Sequence, residues 1–119
     1  MRKRPRPWPV RITVAAEADL QEIVGWTAKQ FGAAQARVYA RILSRALEAL
    51  TAGPTVAGAK VRNDIGAGLY TLHVARDGRR GRHFVVFRVG RGHDRDLIEV
   101  LRLLHDAMDL PRHVPAADE

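Results

Sequence analysis

The chain has 119 residues, enough for one domain with a single modest core. Its 20 Lys+Arg outweigh 13 Asp+Glu for a formal net charge of +7, so an acidic partner, nucleic acid or acidic protein, is expected. Cysteine is absent, which excludes disulfides, thiolate nucleophiles and Cys-based zinc sites, and no apolar run approaches the ~20 residues of a membrane helix.

The opening "MRKRPRPWP" alternates cations with proline, which favours an extended basic arm over residues 1–9 rather than a packed element. It resembles the basic start of a secretory signal, but Arg11, Glu17 and Asp19 interrupt any apolar segment behind it, and a cytoplasmic protein is expected. Val10 to Val14, "VRITV", is β-branched and alternating, the pattern of a short strand. From Ala16 the period becomes helical, with Leu20, Ile23, Val24, Thr27 and Phe31 in one stripe and Glu17, Asp19 and Glu22 near the N-terminus, where the helix dipole favours anions. Gly32 ends this helix.

A second helix follows at once, with Ala36, Tyr39, Ile42, Leu43, Ala46, Leu47 and Leu50 on its apolar face and Arg37, Arg41 and Arg45 on another. Gly53 and Pro54 stop it, and the short link at Gly32 requires an antiparallel helical hairpin. Thr55 to Gly68 reads as a loop. Three strand-like runs then begin at Leu69, His83 and Leu97, separated by Gly-, Asp- and Arg-rich turns, and predict an antiparallel meander. The fold class is α+β: an N-terminal strand, a helical hairpin packed on a mainly antiparallel sheet, and a short C-terminal segment. A single domain over residues 10–114 is followed by a tail at 115–119. Strict alternation in the last strand would put Ile98, Val100, Arg102 and Leu104 on one side and Leu97, Glu99, Leu101 and Leu103 on the other. Both sides are apolar enough to need a cover, from the chain's own tail or from a partner.

The densest chemistry lies in "LRLLHDAMDLPRH". His105, Asp106, Asp109 and His113 have ligand-like side chains, but Pro111 prevents one continuous helix from stacking them, so no metal and no cofactor is expected. A metal-independent nuclease could draw on Arg82, His83, Arg88, Arg102 and His105 for phosphate binding and proton transfer. Surface arginines and histidines of a basic protein more often meet solvent or acidic partners. His73 within a strand reads as a structural donor, and the glycine pairs Gly66/Gly68 and Gly90/Gly92 as turn punctuation.

Four stretches, "EADLQEIVGW", "FGAAQARVYARILSRALEALTAGP", "GRHFVVFRV" and "IEVLRLLHDAMDLPRHV", together resemble the RelE/ParE superfamily of type II toxin–antitoxin toxins, in its ParE branch. The last is the most specific: a strand ending in Arg, aliphatics and His, then Met-Asp, then Arg-His and an aliphatic residue. The resemblance implies a toxin that inhibits DNA gyrase, blocks replication and is neutralised by a cognate ParD-like antitoxin. It also implies action by binding, with no catalytic residue assigned. The RelE branch instead cuts messenger RNA on the ribosome, for which Arg82, Arg88, Arg102 and His105 form the candidate cluster. In the ParE reading, Arg37, Arg41, Arg82 and Arg88 are expected to meet the antitoxin, and His105, Met108, Arg112 and His113 the toxic target. Direct nucleic-acid binding is the less favoured use of the charge, and no membrane contact is expected.

Overall fold

A computed structural model describes residues 6–76, 78 and 80–107. Strand β1 (Val10–Ile12) leads into helix α1 (Val14–Phe31), helix α2 (Ala33–Ala49) and a single 3-10 turn at Leu50–Ala52. Strands β2 (Lys60–Val61), β3 (Leu69–His73), β4 (His83–Arg91) and β5 (Asp96–His105) follow. The sheet order is β1-β5-β4-β3-β2, with β1 parallel to β5 and every other pair antiparallel. The expected α+β architecture is therefore present, with the meander as its centre.

The first strand is shorter than its alternation predicts. Thr13 leaves it to become the N-cap of α1, its Oγ1 accepting from the Ala16 N–H at 3.2 Å, so the helix begins at Val14 rather than Ala16. At the other end Gly32 adopts φ +93°, a left-handed conformation that lets one residue close α1 and open α2. The predicted arm is tied down from Trp8. The Trp8 N–H donates to the Thr51 carbonyl (2.8 Å), its indole lies over Gly53 where a Cβ would stand 2.8 Å from Nε1, and the Pro9 carbonyl accepts from Ile98.

The Thr55–Gly68 loop contains a strand after all. Lys60 and Val61 pair with Thr71 and Tyr70, and the Arg62 N–H extends the ladder to the Leu69 carbonyl. So short an element leaves too few residues for an alternating pattern to show in the sequence.

The main core lies between the helices and the sheet. Leu43, Ala46 and Leu50 of α2 meet Leu72, Val85, Phe87, Ile98, Val100 and Leu103, with Ala16, Leu20, Ile23 and Val24 contributed by α1. Phe87 is fully buried and stacks on Tyr70 at 5.3 Å. Phe31, expected in the core stripe, is instead exposed.

A β-bulge corrects the predicted sides of β5. Val86 pairs with Arg102 but Phe87 with Val100, so Leu101 has no opposite residue and the alternation slips by one. Leu103 consequently joins Ile98 and Val100 under the helices, while Leu104 joins Leu69 and Val86 on the far side. That second cluster is flanked by Ile65 of the loop before β3, with Phe84 and Leu101, so part of its cover comes from neither a tail nor a partner.

Candidate functional site

The bulge and the hairpin together create a groove. Its walls are the outer side of α1 and α2, and its floor is the sheet end where β4 begins and β5 finishes; the volume is about 1550 Å³. Ile23, Trp26, Phe31, Val38 and Ile42 make one side strongly apolar. Trp26 and Phe31 meet edge to face at 5.9 Å and remain 57% and 65% exposed. Two adjoining aromatics left in water at the tip of a hairpin mark an interaction surface rather than scattered exposure.

The other side is polar and internally braced. Asp19 of α1 accepts from Arg102 Nε (2.7 Å) and Nη2 (3.0 Å), and also from the Leu103 backbone N–H (3.0 Å). Its hydrogen bond with Asp19 raises the Arg102 pKa and ties the guanidinium to the helix. Tyr39 of α2 accepts from the Arg82 N–H (3.1 Å) and sits 2.6 Å from His83 Nδ1. Burial raises the Tyr39 pKa. Burial first, and then the neighbouring His105, bring His83 down to about 4. His83 is therefore neutral at pH 7, and the Tyr39 hydroxyl donates to its Nδ1 while accepting from Arg82.

Asp106 fastens the end of the sheet. It accepts from His73 Nε2 (3.0 Å) and from Arg82 Nε (3.3 Å), and its pKa is lowered first by the His73 hydrogen bond. The Ala75 N–H donates to His73 Nδ1 (2.9 Å), which leaves the ring proton on Nε2 facing the carboxylate. His73 is thus the structural donor its sequence position suggests. The His105 ring lies edge-on to His83, 5.3 Å away.

Of the residues proposed for nuclease chemistry, Arg82, His83, Arg102 and His105 line the groove and Arg88 does not. Arg82 and His105 share the groove end, whereas Arg102 is engaged by Asp19. Arg88 lies on the far face of the sheet, its Nε 2.7 Å from Glu99, which also pairs with Arg11. With a pKa of about 4 His83 is neutral rather than imidazolium at pH 7, so it is a poor general acid.

Of the arginines expected to meet an antitoxin, Arg82 lines the groove, Arg88 does not, and Arg37 and Arg41 are exposed along α2. Of the expected target contacts, His105 lines the groove; Met108, Arg112 and His113 lie outside the described residues, as do Asp109 and Pro111. Sequence reasoning missed Trp26, Phe31 and Val38 as groove walls, although they widen the apolar stripes beyond what one sheet face can cover. It also missed Asp19 as the partner of Arg102, because nothing local links residues so far apart in the chain. Among the described residues no group of three His, Asp or Glu could hold a metal, and no helix is long and apolar enough to cross a membrane.

A helical hairpin on a five-stranded sheet, with an open apolar groove braced at one end by ion pairs, defines a small protein of the α+β class. The comparisons identify its family. A family model described as the ParE toxin of the type II toxin–antitoxin system parDE matches residues 10–110, and the chain belongs to that family. It is 33% identical over 104 residues to Toxin ParE1 of Mycobacterium tuberculosis, covering 87% of this chain and 94% of that protein. It is 29% identical over 109 residues to Toxin ParE1 of Caulobacter vibrioides, covering 89% and 97%. A chain of the solved chromosomal ParDE TA system from P. aeruginosa shares the fold, with a TM-score of 0.63, 23% identity, and coverage of 82% of this chain and 95% of that one.

Proposed function

We propose that this toxin acts in the cytoplasm by inhibiting DNA gyrase and so blocking replication, and that a cognate ParD-like antitoxin neutralises it by filling the groove between the hairpin and the sheet end. The single observation that carries the antitoxin site is the groove itself, whose Trp26–Phe31 wall is exposed while its polar end is already organised. A segment with an apolar face would bury these aromatics, and an acidic residue on it would meet Arg82. Membership of the ParE family and the likeness to a ParDE system support the pairing with an antitoxin. Family membership supports gyrase inhibition over messenger cleavage, as do the engagement of Arg102 by Asp19 and of Arg88 by Glu99. Toxic contact is assigned to the C-terminal segment that starts at His105 and includes Met108, Arg112 and His113.

The test uses the purified chain with gyrase and with translating ribosomes. Supercoiling should fall as toxin is added and recover when antitoxin is supplied. Unaffected supercoiling at toxin excess, accompanied by cut messenger on ribosomes, would replace this reading with the endonuclease.

A further inference from the structure

Helix α2 carries a second feature outside the groove lining. Arg37, Arg41 and Arg45 recur every four residues, all exposed. Successive positions are about 6 Å apart along the axis, so three cations stand in a row about 12 Å long. Among the described residues none of the three makes an ion pair or hydrogen bond. Glu48, the one acid of α2, stands beyond the row at the C-terminal end. Like charges at this spacing repel and weaken the helix that carries them. An anionic partner would relieve that repulsion.

We propose that the Arg37–Arg41–Arg45 row binds the sugar–phosphate backbone of duplex DNA, without reading its sequence. The spacing is close to twice the ~3.4 Å axial rise per phosphate of one DNA strand, so long guanidinium side chains reach alternate phosphates of a rigid, periodic polyanion. The solvation of the three arginines separates the two kinds of anionic partner. Exposed arginines gain little from the carboxylates of an acidic peptide, because such surface pairs stay hydrated and are screened by salt. Against DNA the same arginines release condensed counterions, which supplies affinity without apolar burial. Arginine also offers phosphate a bidentate fork that lysine lacks. The row adjoins the groove through Val38 and Ile42, which with Arg41 and Arg45 line a smaller depression of about 360 Å³.

Fluorescence anisotropy of the purified full chain with a labelled duplex of about 20 base pairs, over ~50 to 200 mM salt, measures the number of phosphate contacts from the salt slope. The double substitution Arg41→Ala/Arg45→Ala is expected to lower that slope by about two and weaken binding at low salt at least tenfold. A control, Lys60→Ala/Arg91→Ala, removes the same charge from exposed positions on β2 and β4 and is expected to leave the slope within about half a unit. Melting temperatures should be unchanged or higher for the α2 variant, because alanine favours the helix and the repulsion is relieved. Equal losses in both double variants would reduce the effect to net charge and overturn the proposal. So would failure to bind the duplex while a polyglutamate peptide binds through the same arginines, which would assign the row to an acidic protein.

Discussion

The helix-covered face of the sheet holds Phe87, Ile98, Val100 and Leu103 under α1 and α2, whereas the opposite face holds Glu99 between Arg11 and Arg88 beside a smaller apolar patch. The strands are the same, and alternation divides them. The opposite face carries groups that look reactive in the sequence, yet its arginines neutralise a carboxylate that is itself nearly buried. The outer surface above the helix-covered face carries bland residues, Trp26, Phe31 and Val38, and these are the ones left open to a partner. On these two faces charge density marks structural closure, and the groove wall left open is apolar.

That contrast is breakable in measurable ways. The largest effect is expected from Phe87→Ala in the main core, which should cost about 3–5 kcal/mol in denaturant unfolding because a fully buried ring leaves a cavity. Antitoxin affinity comes next: Trp26→Ala/Phe31→Ala should weaken it at least about tenfold by titration calorimetry while the melting temperature moves little, since both rings are mostly in water. On the opposite face, Glu99→Gln should cost about 1–3 kcal/mol and leave antitoxin binding unchanged, by removing the charge that Arg11 and Arg88 share.

The Glu99 substitution also predicts a pH effect. Burial alone would raise the Glu99 pKa, but hydrogen bonds from Arg11 and Arg88 bring it below the ordinary value of 4.5. Its stabilising contribution is therefore present above that value and lost as pH falls through the lower folded pKa. Glu99→Gln should flatten this acid limb.

His83 gives a second pH effect. Its folded pKa of about 4 lies below the unperturbed 6.5, so the unfolded chain binds the proton first. Stability should decline as pH falls from about 6.5 and level off below about 4, and an NMR titration of the ring should show its midpoint near 4.

Much of the architecture was legible because it rests on local periodicity. The α2 stripe, the short link at Gly32 and the three meander strands each follow from spacing within a few residues. What escaped was set by distant pairing. The Leu101 bulge depends on registering β5 against β4, and it moves Leu103 and Leu104 to the sides opposite those that simple alternation assigns. The two-residue β2 exists only because β3 lies beside it. For the site, the groove brings Arg82, Arg102 and His105 to one lining, while Glu99 holds Arg88 on the far face and Asp19 holds Arg102, partners that no local pattern reveals.

The most direct measurement of the central claim is hydrogen exchange on the toxin, free and bound to its antitoxin. The groove assignment predicts slowed exchange along Ile23–Phe31 and Gln35–Ile42 and at the end of β5, with little change around β2 and the loop that precedes β3. Protection confined to β2, that loop and the Arg88–Glu99 face, with the hairpin unchanged, would contradict it.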